Sequence, residues 1–210
     1  VSHLWSSLGN AALGNGKGAE QIVLNLNWSG NYGHSHYDNA SLILFAKGEE
    51  LLSDIGYTHS KYRGWTLHTA SHNTVVIDQK AQDAGSIKNP VTGHLKFYDD
   101  KNENVKVIDV EASPAYAVAS TYRRRLIMVH AAEGRDYVID RFDVEGGNTH
   151  DWFLHGMCEE EGKMETSISI ETKVKTLVPD WGGINIPKNQ YDSDIEGKRI
   201  HAYSYLKNIK

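Results

Sequence analysis

The chain carries one cysteine, Cys158, among its 210 residues. That excludes an internal disulfide and a zinc cage built of thiolates. It leaves the compartment open, because many exported bacterial proteins contain no disulfide. No apolar run approaches the length of a membrane span. The formal net charge is −5, so there is no whole-molecule positive field for capturing nucleic acid, and a polyanionic substrate would need a local basic pocket. A His-Glu-x-x-His helix is missing, which removes the helical zinc-protease arrangement. There is no internal repeat, no low-complexity tract and no visible signal peptide. The first residue is Val1 rather than Met, and the expectation is an excised domain or a processed product. Helix signals are scarce as well: only Ser6 to Leu13 reads as a short helix, ended by the glycines after it.

What is there reads as strand. Gln21 to Leu26 opens the pattern, and Ser41 to Ala46 is a nearly continuous apolar run, expected to be buried on both faces. Thr74 to Asp78 and Val105 to Val110 are short and β-branched. Thr121 to Val129 and Asp136 to Val144 form a long pair, joined by a turn at Glu133-Gly134-Arg135. Ser167 to Val174 alternates apolar and polar residues, and Arg199 to Leu206 resembles a last strand. The stretch from Val178 to Gly197, with its prolines and glycines, reads as an irregular loop. Short strands between Gly, Asn and Asp turns predict an all-β fold, a large antiparallel β-sandwich in a single domain over 1–210.

The chemistry concentrates at Tyr32-Gly33-His34-Ser35-His36-Tyr37-Asp38. Read as a strand, it puts Tyr32, His34, His36 and Asp38 on one face, a poor surface for a core and a good one for a site. Asp54 and His72 follow at equal intervals. Imidazole nitrogen and carboxylate oxygen suit a borderline-soft divalent cation such as zinc, so His36, Asp54 and His72 fit three ligands delivered by successive strands. His34, two residues away, does not easily reach the same ion and is left to face substrate. Separately hydrogen-bonded histidines remain the alternative reading of the same spacing. Tyr57, Tyr62 and Trp65 lie between two proposed ligands, where aromatic faces would stack on sugar rings or simply fill a core. Asn73 is placed to orient the metal loop from behind its ligand. Of Arg123, Arg124 and Arg125, at most two can share a strand face, and one is expected to be an internal ion-pair partner. His130, His150 and His155 read as structural, and Cys158 as a small buried hydrophobe.

The run from His34 to Leu42 resembles the His-x-His-x-Asp-x-Leu-Ser pattern of the heparinase II/III-like polysaccharide lyase family. Gly48 to Tyr57, Ser71 to Asp78, Tyr122-Arg123-Arg124, Tyr137 to Arg141 and Trp152 to Gly156 follow in the family's order. Ser35 stands where a small residue such as Gly is common, and Asn39-Ala40 replaces a Leu-bearing pair. The resemblance implies the C-terminal β-sandwich domain of such a lyase, without the N-terminal α/α toroid. It implies zinc held in a structural role by His36, Asp54 and His72, and His34 as the residue that meets the uronate carboxylate. The implied partner is a uronate-containing acidic polysaccharide, cleaved by β-elimination in the periplasm or outside the cell. The general base and acid are expected from the toroid, which would leave this portion inactive alone. Two further readings stay open: a non-catalytic carbohydrate-binding or structural module, and a cupin-like metal enzyme using His34, His36, Asp54 and His72 as four ligands.

Overall fold

The structure is a computed structural model, and it describes residues 2–56, 63–132, 135–157, 163, 165–169, 203 and 206. Its elements run β1 (His3–Trp5), β2 (Asn10–Asn15), β3 (Ile22–Asn27), β4 (Ser41–Ala46), β5 (Glu49–Leu52), α1 (Arg63–Leu67), β6 (Val75–Ile77), β7 (His94–Asp99), β8 (Val105–Glu111), β9 (Thr121–His130), β10 (Asp136–Glu145) and β11 (His150–Trp152). Among the described residues three antiparallel sheets result, ordered β1-β2-β3-β4-β5, β10-β9-β8-β7 and β11-β6. The fold is the expected all-β sandwich.

Alternation drives its assembly. In β3, Ile22, Leu24 and Leu26 are buried while Val23, Asn25 and Asn27 are half-exposed. In β9, Tyr122, Arg124, Leu126 and Met128 turn inward in the same way. These two inner faces, joined by Ile108 and Val110 of β8 and by Val75 and Ile77 of β6, form one apolar core. Burying a side chain such as Leu24 is worth about 1.5–3 kcal/mol. On the outer face of the second sheet, Asp109 accepts from Arg123 Nε and Nη2 at 2.8 and 2.7 Å and from Arg125 Nε at 2.8 Å. Arg124 points the other way and is fully buried, paired with Asp140 at 2.6 Å. One arginine of the three is indeed internal.

Several expectations are corrected. Ser6 to Leu13 is not a helix: a 3-10 turn at Ser6–Leu8 leads straight into β2, whose Ala11, Ala12 and Leu13 are buried between β1 and β3. Cross-strand pairing overrides the helical propensity of alanine and leucine there. β4 is buried only at Ser41 and Leu42, and its remaining residues are half-exposed. Gly33, at φ +108°, lies where L side chains rarely fit, and residues 31–38 form bends rather than a strand. β9 and β10 pair antiparallel from Thr121↔Glu145 to His130↔Asp136. Glu133 and Gly134, Cys158, Val178 to Gly197, and most of the strands expected at Ser167 to Val174 and Arg199 to Leu206 lie outside the described residues.

Candidate metal centre

His36 and Asp38 stand on the loop between β3 and β4. Asn31 builds its bend: Oδ1 accepts from Gly33 N at 2.9 Å and Ser35 Oγ at 3.1 Å, while Nδ2 donates to Gly85 O at 3.2 Å. Beyond Asp38 the chain is pinned by Gln82, whose Oε1 accepts from Asn39 N at 2.7 Å and whose Nε2 donates to Asn39 O at 2.9 Å. Asp54 follows β5, and its Oδ1 accepts from Gly56 N at 2.7 Å. His72 ends the 3-10 turn Thr69–Ser71, just before β6.

Three segments thus bring His36, Asp38, Asp54 and His72 together, with one ligand atom from each lying within 4.8 Å of the others. His72 Nδ1 is 2.8 Å from Asp54 Oδ2, and His36 Nδ1 is 3.7 Å from Asp54 Oδ1. The two imidazole rings sit 5.0 Å apart. His72 is fully buried. His34 is exposed and lines, with Ser29, Ser35, His36, Asp38 and Asp54, a concavity of about 350 Å³.

Electrostatics shows how tightly the four groups depend on one another. Burial, then the neighbouring His72, pushes His36 down to about 4, which keeps its ring neutral with a lone pair to give. Burial would raise Asp54, but the hydrogen bond and charge of His72 prevail and hold it at about 2. Burial would lower His72, yet Asp54, aided by Asp38, raises it. Asp38 is raised by burial and by the charge of Asp54, against the pull of His72. The hydrogen bond between His72 Nδ1 and Asp54 Oδ2 ties two of the segments together, and a divalent cation could do the same. Two imidazoles and two carboxylates fit a metal ion, and zinc accepts that donor set.

Asn73 sits directly behind His72 and is buried. Its Nδ2 donates to Leu42 O and Ser53 O, each at 2.9 Å, and its Oδ1 accepts from His155 N. One amide therefore links β4, the residue before Asp54, and the chain after β11. His155 Nε2 donates to Ala70 O at 2.8 Å. Trp65, on α1, packs against the small cluster of Ala70, Val76 and Tyr203, with its ring edge-on to His155 at 6.1 Å. The structure brings it to this apolar cluster and not to the concavity. Tyr57 and Tyr62 lie outside the described residues. His130 pairs with Asp136 at 2.9 Å, and His150 Nε2 donates to Gly146 O at 2.7 Å. Asp38 is the candidate ligand that sequence reasoning did not name. Its signal was its place two residues after His36, on the same face.

A β-sandwich with a partly buried cluster of two imidazoles and two carboxylates that could hold a metal ion is the class that fold and site define. The chain belongs to the heparinase II/III-like C-terminal domain family, which matches residues 15–191. It is 25% identical over 134 residues to the exo-oligoalginate lyase of Saccharophagus degradans, covering 56% of this chain and 18% of that one. It is 21% identical over 129 residues to an alginate lyase of Stenotrophomonas maltophilia, covering 54% and 17%. Among solved structures, a heparinase III superposes with TM-score 0.62 at 18% identity, over 79% of this chain and 25% of that one. Heparan sulfate lyase HepC of Pedobacter heparinus superposes with TM-score 0.58 at 21% identity, over 74% and 24%. These relatives are polysaccharide lyases. The chain spans less than a fifth of the curated relatives' length and about a quarter of the solved ones.

Proposed function

We propose that this chain is the β-sandwich part of a polysaccharide lyase that cleaves uronate-containing polymers by β-elimination. The observation that carries the reading is the convergence of His36, Asp38, Asp54 and His72 beside a concavity lined by His34. His36, Asp54 and His72 would hold zinc, with Asp38 as the added carboxylate. The ion would supply structural order to the three loops and positive potential next to the groove.

The reaction explains the neighbouring histidine. The C5 proton of a uronate is weakly acidic because it lies next to a carboxylate. Hydrogen bonds or positive charge at that carboxylate stabilise the enolate-like species left when the proton departs. His34, exposed on the concavity, takes that role or handles the proton itself. The base that removes the C5 proton and the acid that protonates the leaving glycosidic oxygen come from an N-terminal toroid in the full-length protein. Groups of that kind contribute about 10²–10⁴ in rate each. Tyr57 and Tyr62 are assigned to sugar contact, and Asn73 to orienting the metal loops. Trp65, by its packing, serves the fold of α1.

The test is full-length enzyme on oligomeric uronates, followed by the ultraviolet absorbance of the unsaturated product. His34→Ala is expected to retain the metal and to lose most turnover. Loss of bound metal in that variant would instead make His34 a ligand. Oligosaccharide binding without an absorbance change, in wild type, would reduce the domain to a non-catalytic carbohydrate-binding module.

A further inference from the structure

Two of the three ligand-bearing segments are held by the same side chain. Arg124 Nη1 donates to Ala40 O at 2.7 Å, two residues beyond Asp38, and also to Asn73 O, next to His72. The rest of the guanidinium is committed to Asp140, through Nε to Oδ1 at 2.9 Å and Nη2 to Oδ2 at 2.6 Å. Its Cζ lies 5.2 Å from the ring centroid of Phe142, the residue paired with Arg124 across β9 and β10. Arg124 itself is fully buried.

An ion pair at that depth is a poor device for stability. Desolvating both charges consumes most of what their attraction returns, and apolar pairs of similar volume often serve the fold as well. What an apolar pair cannot supply is a rigid fork of donors aimed at two backbone carbonyls. Ala40 has a positive φ of 60°, a backbone state costly for alanine, and its carbonyl is one of the two that Arg124 holds. We propose that Arg124, aimed by Asp140, is a positioning residue for the metal centre. It sets the spacing between the Asp38 and His72 segments from below, without touching the ion. The inference rests on the cluster being a metal centre. Lysine at this position would keep the charge and lose the fork.

The test compares wild type, Arg124→Lys, Asp140→Asn and Arg125→Lys, each verified as folded by near-ultraviolet circular dichroism. Zinc affinity is read by competition with a chromophoric chelator, and ligand geometry by the visible bands of bound cobalt(II). Arg124→Lys is expected to weaken zinc by about 10–100-fold, as loss of outer-shell support does, and to shift the cobalt bands. Asp140→Asn should move both readouts the same way, and it carries the test if Arg124→Lys does not fold. Arg125→Lys, whose side chain faces outward to Asp109, should match wild type in both. Wild-type affinity and spectrum in Arg124→Lys and Asp140→Asn overturn the inference and leave the metal centre standing. Absence of zinc and cobalt binding in wild type overturns the centre and the inference together.

Discussion

Asp38 and Asp54 face the same two imidazoles and are shifted in opposite directions: burial prevails at Asp38, whereas the hydrogen bond and charge of His72 outweigh burial at Asp54. Asp54 accepts from His72 and from Gly56 N, while Asp38 is buried next to an already ionised neighbour. His36, Asp54 and His72 were legible in the sequence because residue type and even spacing survive any local geometry. Asp38 was grouped with His36 by strand alternation, and the grouping stands although the strand does not. The role of Arg124 was legible only as far as one internal arginine, since its carbonyl partners are far away in sequence. Asp54→Ala or His36→Ala is expected to abolish stoichiometric zinc by elemental analysis and to erase the difference in melting temperature between metal-loaded and metal-free protein. A variant that keeps both would refute the ligand assignment. Asp109 allows a pH prediction. Burial alone would raise it, but Arg123 and Arg125 hold it below the usual 3.8. A carboxyl depressed by folding stabilises fully above its unfolded value and loses that contribution as the pH falls through its folded value. Asp109→Asn should therefore cost about 1–3 kcal/mol in denaturant titrations at neutral pH, given that both arginines are partly exposed. The two proteins should converge in strong acid.

The alternating strands at Ile22–Asn27 and Thr121–His130 match the reading from sequence, whereas Asn10–Asn15 and residues 31–38 do not. Ile22 to Asn27 could hardly be anything but a half-buried strand. Asn10 to Asn15 has small residues with no period, and its strand identity comes from the neighbours on either side. The bend of residues 31–38 depends on Asn31 reaching across to Gly85, a contact with no local signature. The Gly146-Gly147 turn illustrates the same dependence. Both glycines have positive φ, and a methyl group on Gly146 would meet Val118 O at 2.0 Å. This turn delivers β11 to β6, the strand that follows His72. Gly146→Ala is expected to destabilise by about 1–3 kcal/mol or more through backbone strain, read as a shift in urea midpoint. An unchanged midpoint would mean the turn relaxes freely.

At the scale of the molecule, the sandwich and its family were legible because motif order along the chain is a long-range signal. Chemistry beyond this domain was not, since the chain covers a small share of its relatives' length. The 210-residue chain alone should bind zinc and show little or no elimination, because positioning across a cleft needs both walls. Robust turnover by it would overturn the proposed division of labour. Zinc at about 100 times its dissociation constant adds ~2.7 kcal/mol, or about 5–10 °C in melting temperature for a chain of this size. Calorimetry with and without a chelator measures that difference directly.

The segments carrying His36, Asp54 and His72 converge on one cluster, and in a chain whose only cysteine is Cys158 no internal disulfide can tie them there. A zinc ion undergoes no redox change, so the knot it would tie does not depend on the redox state of its surroundings. It would loosen only where ligand protonation or a competing sequestrant strips the ion away.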